Sequence, residues 1–456
     1  MKKIVFIEPK APGGHIFSRF ALPRIGIFIL GTMMKNRGWN VEIYIEDLSA
    51  IDYNGVLDAD IVGISTITPT ANNAYKIADR VKRHGIPVIM GGPHVTFMSD
   101  EALQHADYVV RGEGELPLMR FIDAWEQNSG FSGVPNLSYR QNGRNVHNPM
   151  NSFENDLDQF PLCDFSLIKN KQKLKVIPIQ TSRGCPYDCS FCSVTGMFGK
   201  KYRYRSTEHI MEELRLYKNS GKFVFFYDDH FGANKKRAKE LLEAMLAENL
   251  RFKWSTQVRA DVAKDRELLH LMKKAGCHTL FIGIESLNPE SLREMRKHQT
   301  VEEINNAMHI INSFNINIHG MFVHGFDKDT WDSVRHTVKF AKKLRLSSAQ
   351  FLILTPFPGS EFYAHVRNRI VSKDWSLYDA HHVVYQPANF SLFSLQKAQI
   401  YSHQKFYSIY EMMKKFFRKK WISLGLAFYA RYTNMKWKIH NKAYLSMIRD
   451  MSHKPV

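Results

Sequence analysis

The chain has 456 residues, 44% hydrophobic and 23% charged, with a formal net charge of +19 at pH 7. That length supplies real cores for two or three domains and excludes a small disulfide scaffold, while the composition excludes wholesale disorder and collagen-like or low-complexity architecture. Twelve Lys and Arg against two acids in residues 401–456 place more than half of the surplus in the C-terminal tail, which suits an anionic membrane surface or an acidic substrate as well as a nucleic acid.

The N-terminus has four apolar residues, Ile4 to Ile7, before Glu8. A secretory signal needs an apolar run of about seven, so export is not expected. Alternating β-branched runs and amphipathic stretches follow: Ile4–Ile7, a helix near Ile25–Arg37, Val41–Ile45, Ile61–Ile64, a helix through Ala71–His84, Val88–Met90 and Tyr108–Val109. That order predicts a parallel, doubly wound, Rossmann-like sheet over residues 1–140. Ligands of such sheets sit at the carboxyl ends of the strands. The loops to watch are therefore Glu8–His15, the segment with Ser65, Thr66, Thr68 and Thr70, Gly91-Gly92-Pro93-His94, and Arg111-Gly112-Glu113-Gly114-Glu115. Their glycines either admit a ligand close to the backbone or simply make turns.

A hairpin turning at Asn142-Gly143 comes next, inside a segment, 141–172, whose Asp156–Pro161 stretch reads as a linker. From residue 173 to 375 six more strands are expected, at Val176–Gln180, Phe223–Tyr227, Lys253–Gln257, Thr279–Ile284, Asn317–Val323 and Ala349–Leu354, with helices between them. Six β/α units fall short of the eight of a closed barrel and predict a partial, TIM-like (β/α)6 barrel. Residues 376–456 form a helical, basic C-terminal region. Its apolar residues Phe406, Ile409, Tyr410, Met413, Phe416, Phe417, Trp421 and Leu424 recur at helical spacing, with Lys414, Lys415, Arg418 and Lys419 off the stripe. The stripe either closes the open side of the barrel or meets a membrane surface peripherally. The longest uncharged apolar stretches, Ile25–Met34 and Trp421–Ala430, have ten residues each, against the roughly 18 that span a bilayer.

Three of the five cysteines fall within eight residues, Cys185-Pro-Tyr-Asp-Cys189-Ser-Phe-Cys192, directly after the first barrel strand. Such crowding suits a reducing compartment and a metal site. Structural zinc takes four ligands, usually from paired knuckles, and no second knuckle exists here. Three thiolates can instead hold three irons of a [4Fe-4S] cluster, leaving the fourth open. Cys163 and Cys277 read as buried fillers. Tyr202-Arg203-Tyr204-Arg205 either places positive charge near the cluster or anchors the helix capped by Ser206.

CxxxCxxC after the first strand of a partial barrel, with the aromatic Phe191 before the last cysteine, resembles the radical S-adenosylmethionine (SAM) superfamily. With the strand-end loops of the first domain, the chain resembles the cobalamin-binding (B12-dependent) radical SAM proteins over residues 1 to about 390. The resemblance implies a cluster on Cys185, Cys189 and Cys192, SAM on its open iron with Arg259, Glu285 and Ser286 in contact, and His319–Gly325 along the adenine. It implies cobalamin against Ser65, Thr66, Thr68, Gly91, Gly92, Pro93, His94, Gly112 and Glu113. Two departures stand out. Tyr227-Asp228-Asp229-His230 replaces the family's Gly-Gly-Glu-like motif, and Asp-x-His-x-x-Gly, which supplies a lower cobalt ligand in many cobalamin proteins, is absent; His15 and His94 are the loop histidines nearest the expected corrin.

The implied function is a methyltransferase that moves a methyl group from methylcobalamin to an unactivated carbon through a 5′-deoxyadenosyl radical. The alternatives are cyclisation, oxidation or rearrangement with the same cofactors, or an iron–sulfur nucleic-acid-binding or -modifying protein. The last is disfavoured because no RNA-binding module lies outside the tail. The expected partners are a small-molecule or lipid substrate, an external flavodoxin- or ferredoxin-like electron donor, and a membrane surface met peripherally from the cytoplasm.

Overall fold

The computed structural model describes residues 1–13, 21–151, 153–417, 419 and 421–452, the side chain of Ile422 excepted. His15 and Arg418 lie outside the described residues.

The first domain alternates β1 (Lys3–Glu8), α1 (Gly26–Asn36), β2 (Asn40–Ile45), α2 (Tyr53–Val56), β3 (Ile61–Ser65), α3 (Ala71–Lys82), β4 (Val88–Gly91), α4 (Pro93–Phe97), α5 (Ser99–Ala102), β5 (Tyr108–Val110) and α6 (Glu115–Gln127). Strands β2-β1-β3-β4-β5 pair in parallel in that order. The apolar run of β1 is unbroken because both its faces are covered. Ile4 and Phe6 enter one core with Phe28 and Phe121, and Val5 and Ile7 enter the other with Tyr75 and Ala78. The winding reverses between β1 and β3, so the ligand crevice of this topology opens at Glu8 and Ser65.

The hairpin β6 (Leu137–Gln141) and β7 (Arg144–His147) adds antiparallel to β5. Asn142 (φ 51°) and Gly143 (φ 77°) adopt the left-handed backbone that a two-residue turn demands. The sheet thus runs past residue 140. Residues 141–172 are no solvated spacer either, since Phe160, Cys163, Phe165 and Ile168 are buried and Ile168 bridges to Ile43 in β2.

The second domain begins with β8 (Val176–Ile179) and a short antiparallel pair, β9 (Ser182–Arg183) and β10 (Arg203–Tyr204), that brackets α7 (Val194–Phe198). It continues through α8 (Thr207–Tyr217), β11 (Phe223–Phe226), α9 (Lys235–Ala247), β12 (Trp254–Val258), α10 (Arg266–Lys274), β13 (Cys277–Glu285), α11 (Pro289–Glu294), α12 (Val301–Ser313), β14 (Asn317–His324), α13 (Trp331–Lys343) and β15 (Ser348–Ile353). The six parallel strands stand in chain order and do not close, leaving β8 and β15 as edges. This is the expected partial (β/α)6 barrel.

The C-terminal region contains α14 (Glu361–His365), α15 (Leu392–Phe406), α16 (Ile409–Phe417), α17 (Trp421–His440) and α18 (Lys442–Ser452). An open sheet edge exposes unpaired backbone groups, and α15 covers those of β15 with its own side chains. The Tyr407 hydroxyl donates to the Ala349 carbonyl (2.7 Å) and accepts from the Ala349 amide (2.9 Å). His403 Nε2 accepts from the Phe351 amide (3.3 Å), and the Gln399 amide donates to the Phe351 carbonyl (3.2 Å). The lid is therefore α15 rather than the whole apolar stripe. Phe406 is buried, whereas Met413, Phe417 and Trp421 are 47%, 73% and 59% exposed. Among the described residues, no helix is long and apolar enough to cross a membrane.

Candidate active site

Three thiols open the site. The chain leaves β8, makes β9 and turns at Gly184, whose φ of +83° and whose approach to the Lys201 carbonyl, 2.6 Å from any added Cβ, leave no room for a side chain. Cys185, Cys189 and Cys192 follow on one half-buried loop. The loop is tied down by backbone bonds from Ser190 to Met295 (3.2 Å) and from Phe362 to Ser190 (2.9 Å). Burial pushes the Cys185 thiol up and the Cys192 thiol up to about 12, and the neighbouring Asp229 and thiols push the same way. Both are protonated at neutral pH and must release protons to ligate metal. Among the described residues, no three His, Cys, Asp or Glu side chains gather around a point that a single ion would fill.

Arg259, at the end of β12, reaches over this loop. Its guanidinium lies 3.7 Å from the Tyr187 ring centre and 3.9 Å from the Cys189 sulfur, and it donates to the Lys297 carbonyl. Tyr187 donates to Asp261 (2.8 Å), and His230 Nε2 stands 3.8 Å from the same carboxylate. Burial depresses the His230 pKa to about 4. Arg259 Nε, a donor, and His230 Nδ1 are buried with no hydrogen-bond partner among the described residues, as befits polar atoms awaiting a ligand. Glu285 has a left-handed backbone (φ 63°) and folds its carboxylate back over Gly283 onto Lys297 Nζ, 2.9 Å away. Ser286 accepts from the Asn288 amide (3.1 Å). Phe191 packs edge-on against Phe326. Further along the barrel, His319 bonds Ser348 (2.7 Å) and His324 bonds Ser402 of α15 (2.9 Å), both fully buried in the wall.

A cavity of about 340 Å³ lies between the domains. The first domain lines it with apolar Ile64, Ile89, Met90 and Val110 and with Ser65, Gly91, Gly92, Pro93, Gly112 and Glu113 from the strand ends. The barrel contributes Tyr227, Asp229, and Val194 and Met197 of α7, which starts two residues after Cys192. A Cβ on Gly91 would meet only the Val110 carbonyl, at 3.9 Å, so this residue leaves the cavity floor open. Gly92 is different: its φ is +104° and its Cβ would lie 2.5 Å from the Thr66 carbonyl, so it serves a turn within the domain.

Thr66, Thr68 and His94, expected at the cofactor, do not line the cavity. Thr66 pairs with Thr70 (3.3 Å), and His94, fully buried, spends Nδ1 on Thr68 (3.4 Å) and Nε2 on Tyr75 (3.1 Å). With both nitrogens engaged behind the strand ends, His94 does not face the cavity. Asp228 is likewise structural: it accepts from the Thr181 amide (2.7 Å), the Thr181 hydroxyl and the Ser182 amide (3.0 Å), fixing the turn before the cysteines. Its neighbour Asp229 has no hydrogen-bond or ion-pair partner among the described residues and is exposed to the cavity; desolvation by the surrounding walls and the Asp228 charge push its pKa up to about 6.

Glu113 lines the cavity but commits its carboxylate elsewhere. Glu113 and Glu115 meet Arg183 of β9 and Arg203 of β10 across the domain interface. Arg203 forks onto both Glu113 oxygens (2.9 and 2.8 Å), and Arg183 reaches Glu115 (2.5 Å) and Glu113 (3.3 Å). All four side chains are at most 10% exposed. Within the Tyr202–Arg205 segment, Arg203 thus joins an interdomain clasp, while Arg205 anchors α8 through His209 and Glu213. The paired acids and paired arginines were visible in the sequence, but nothing there said that they meet. Ser206 does cap α8, accepting from the His209 amide (3.1 Å).

Comparison with known proteins adds family context to this geometry. Residues 179–341 match the Radical SAM superfamily and residues 18–122 the B12 binding domain. The chain is 35% identical to an uncharacterized methyltransferase of Pyrococcus horikoshii over 375 residues, covering 78% of this chain and 81% of that one. It is 30% identical to the bacteriochlorophyllide d C-12(1)-methyltransferase of Chlorobaculum tepidum over 404 residues, covering 85% and 83%. The cobalamin-dependent S-adenosylmethionine radical enzyme OxsB, solved with aqua-cobalamin and S-adenosylmethionine bound, shares the fold with a TM-score of 0.74 at 16% identity, covering 99% of this chain and 76% of its own.

Proposed function

The chain belongs to the cobalamin-dependent radical SAM family, and from that premise we propose that it is a C-methyltransferase acting on an unactivated carbon of a small-molecule substrate. The observation that carries the reading is the shared cavity, walled on one side by the strand-end loops of the first sheet and on the other by the helix that follows the third cysteine. A methyl donor held by one wall and a radical source held by the other would face one substrate between them. The names of the two relatives, both methyltransferases, point the same way.

The donor set fits the cofactors. Cys185, Cys189 and Cys192 would hold the [4Fe-4S] cluster. Arg259 Nε and His230 Nδ1, with Glu285 and Ser286 nearby, would meet the polar groups of SAM. Ser65, Gly91, Pro93 and the Gly112 turn would border cobalamin. When bound, these groups supply a carbon-centred radical and a transferable methyl. The protein's own work is geometric and electrostatic. Gly91 keeps the cavity floor low, the apolar wall excludes water, and the Glu113–Arg203 clasp holds the two walls at a constant separation. Asp229 is the free carboxylate placed to orient a polar group on substrate or cofactor.

The free thiols suit a reducing compartment, and we place the protein in the cytoplasm with an external flavodoxin- or ferredoxin-like donor supplying single electrons. Anaerobic reconstitution with iron, sulfide, cobalamin, SAM and reductant, followed by mass analysis of candidate small molecules and lipids, tests the reading. Methylation releases S-adenosylhomocysteine alongside 5′-deoxyadenosine and adds 14 mass units to the product, as replacement of one hydrogen by methyl requires. Deoxyadenosine without S-adenosylhomocysteine would favour ring closure or rearrangement instead.

A further inference from the structure

Two helices of the tail carry their apolar faces outward. On α16, Ile409, Tyr410, Met413, Phe416 and Phe417 recur at helical spacing and are all exposed, while Glu411, Lys414 and Lys415 are half-buried on the inner side. On α17, Trp421, Phe428, Tyr432, Met435 and Ile439 make a second stripe, each at least 50% exposed, opposite the buried Ala427, Ala430 and Trp437. Phe416 and Trp421 stack edge-on at 5.4 Å and join the two stripes. Helices in a soluble fold normally bury such a face, and a contiguous exposed patch marks a contact surface.

Under α16 lies a cavity of about 380 Å³ lined by Lys342 and Arg345 from the end of α13, Ser347, Glu411, Lys414 and Lys415. Glu411 is the single acid there, 3.3 Å from Lys414 and 4.0 Å from Lys342. Lys415 donates to the Ser347 carbonyl (3.2 Å). Four cations therefore surround one carboxylate. Burial, with Lys405 and Lys414 close by, holds the Lys342 ammonium below its ordinary pKa despite Glu411.

We propose that this face docks on an anionic phospholipid bilayer, with the aromatic stripes of α16 and α17 in the headgroup region and the cationic surplus of the cavity behind α16, together with the exposed Arg431, Lys436 and Lys438 of α17, attracting the anionic surface. Charge selects the occupant. A second copy would bring the same twelve cations and two acids of residues 401–456, setting Arg431, Lys436 and Lys438 against their equivalents. A nucleic acid would match the cations but give Ile409, Met413 and Ile439 nothing to bury against. An anionic membrane surface answers both the apolar stripes and the basic flanks. The helices lie along it rather than through it. The inference stands independently of methyl transfer.

Co-sedimentation of the full-length protein with vesicles tests it. Binding to phosphatidylcholine vesicles containing phosphatidylglycerol should exceed binding to pure phosphatidylcholine by about tenfold or more and fall at high salt. The double variant Phe428→Asp, Tyr432→Asp should lower partition by about tenfold with the melting temperature unchanged, both side chains being exposed. Lys342→Glu with Lys414→Glu should remove the preference for phosphatidylglycerol. Equal affinity for both vesicles, or none for either, overturns the proposal. So do a concentration-dependent dimer that Phe428→Asp abolishes, retention of bulk tRNA that Phe428→Asp leaves intact, and full competition by inorganic phosphate, which would make the cavity a free-anion site.

Discussion

Replacing Glu113 by alanine removes the shared anion of the interdomain clasp. Two carboxylates from the first domain balance two guanidinium groups from the second, and Arg203 and Arg183 are only 2% and 6% exposed in their side chains. Without Glu113, Arg203 loses both of its charge-assisted bonds to a carboxylate and keeps only the Glu154 and Phe198 carbonyls. Arg183 retains Glu115. Breaking a buried ion pair from one side costs about 3–5 kcal/mol, and Arg203 keeps two carbonyl acceptors, so we expect about 3 kcal/mol. Against a total of about 5–15 kcal/mol, that loss is large. It should also be localised, because all four charges sit between the domains. Urea unfolding of the full-length protein should show a lower midpoint, and hydrogen exchange should accelerate at β9, β10 and the Glu113 loop before it does in the strands of either sheet. The double variant Glu113→Leu, Arg203→Met, which leaves no orphaned charge at Arg203, should be less destabilised than Glu113→Ala, with a coupling of about 1–3 kcal/mol. A Glu113→Ala protein within about 0.5 kcal/mol of the parent, or one whose exchange quickens uniformly, would refute the clasp as a determinant of domain docking.

Other outcomes are equally specific. Gly91→Phe should fold, since its Cβ direction is open, yet weaken hydroxocobalamin retention by about tenfold or more, whereas Gly92→Phe should fail by misfolding against the Thr66 carbonyl; unchanged corrin binding in soluble Gly91→Phe contradicts the cavity assignment. Replacing Cys185, Cys189 and Cys192 together by alanine should abolish the iron–sulfur chromophore, which Cys163→Ala and Cys277→Ala should spare, and loading the parent protein near pH 7 should release the protons of Cys185 and Cys192; a chromophore surviving the triple variant would exclude these ligands. At the tail, burial opposes a charge on His382, but its bonds to Asp379 (3.0 Å) win and hold the pKa above the ordinary 6.5. This group's stabilisation is complete below about pH 6.5 and is lost as pH rises through the raised value, so exchange at Trp437, Asn441 and Tyr444, which its ring contacts, should quicken as pH rises above about 6.5. His382→Gln should flatten that dependence, and a parent protein whose exchange there follows only intrinsic chemistry would count against it.

The fold was legible because its units repeat a local code. Most barrel strands are short apolar runs followed by an amphipathic helix, β12 (Trp-Ser-Thr-Gln-Val) being the polar exception, and the six expected segments fall where the six strands lie. What could not be read locally is what happens at an edge. The polar residues Gln399, His403 and Tyr407 interrupt the apolar pattern of α15 and look like surface residues, yet they are buried because they satisfy the backbone of β15, about fifty positions earlier in the chain. The tail stripe was left open for a related reason. Periodicity identified an apolar face on residues 406–424 and could not say whether protein lay opposite it, since that depends on α15 having already covered the edge.

The site divides along the same line. The three cysteines are neighbours in sequence, and so are the strand-end glycines within each loop, so both patterns were visible without a structure. The adjacent acids Asp228 and Asp229 were not assignable, although alternation along a strand decides between them. Val224, Phe226, Asp228 and His230 are buried on one face of β11 and its extension, and Phe225, Tyr227 and Asp229 occupy the other. Sequence could not name which face met the cavity, because the Phe-Val-Phe-Phe run is apolar on both sides, as a strand of a parallel sheet covered twice must be. Once Tyr227 is seen to line the cavity, the parity places Asp229 there and sends Asp228 back to the turn before the cysteines. Two identical side chains thus take different work from one residue's difference in register: one fixes the loop that carries the thiols, and the other leaves a carboxylate free where the two walls of the cavity meet.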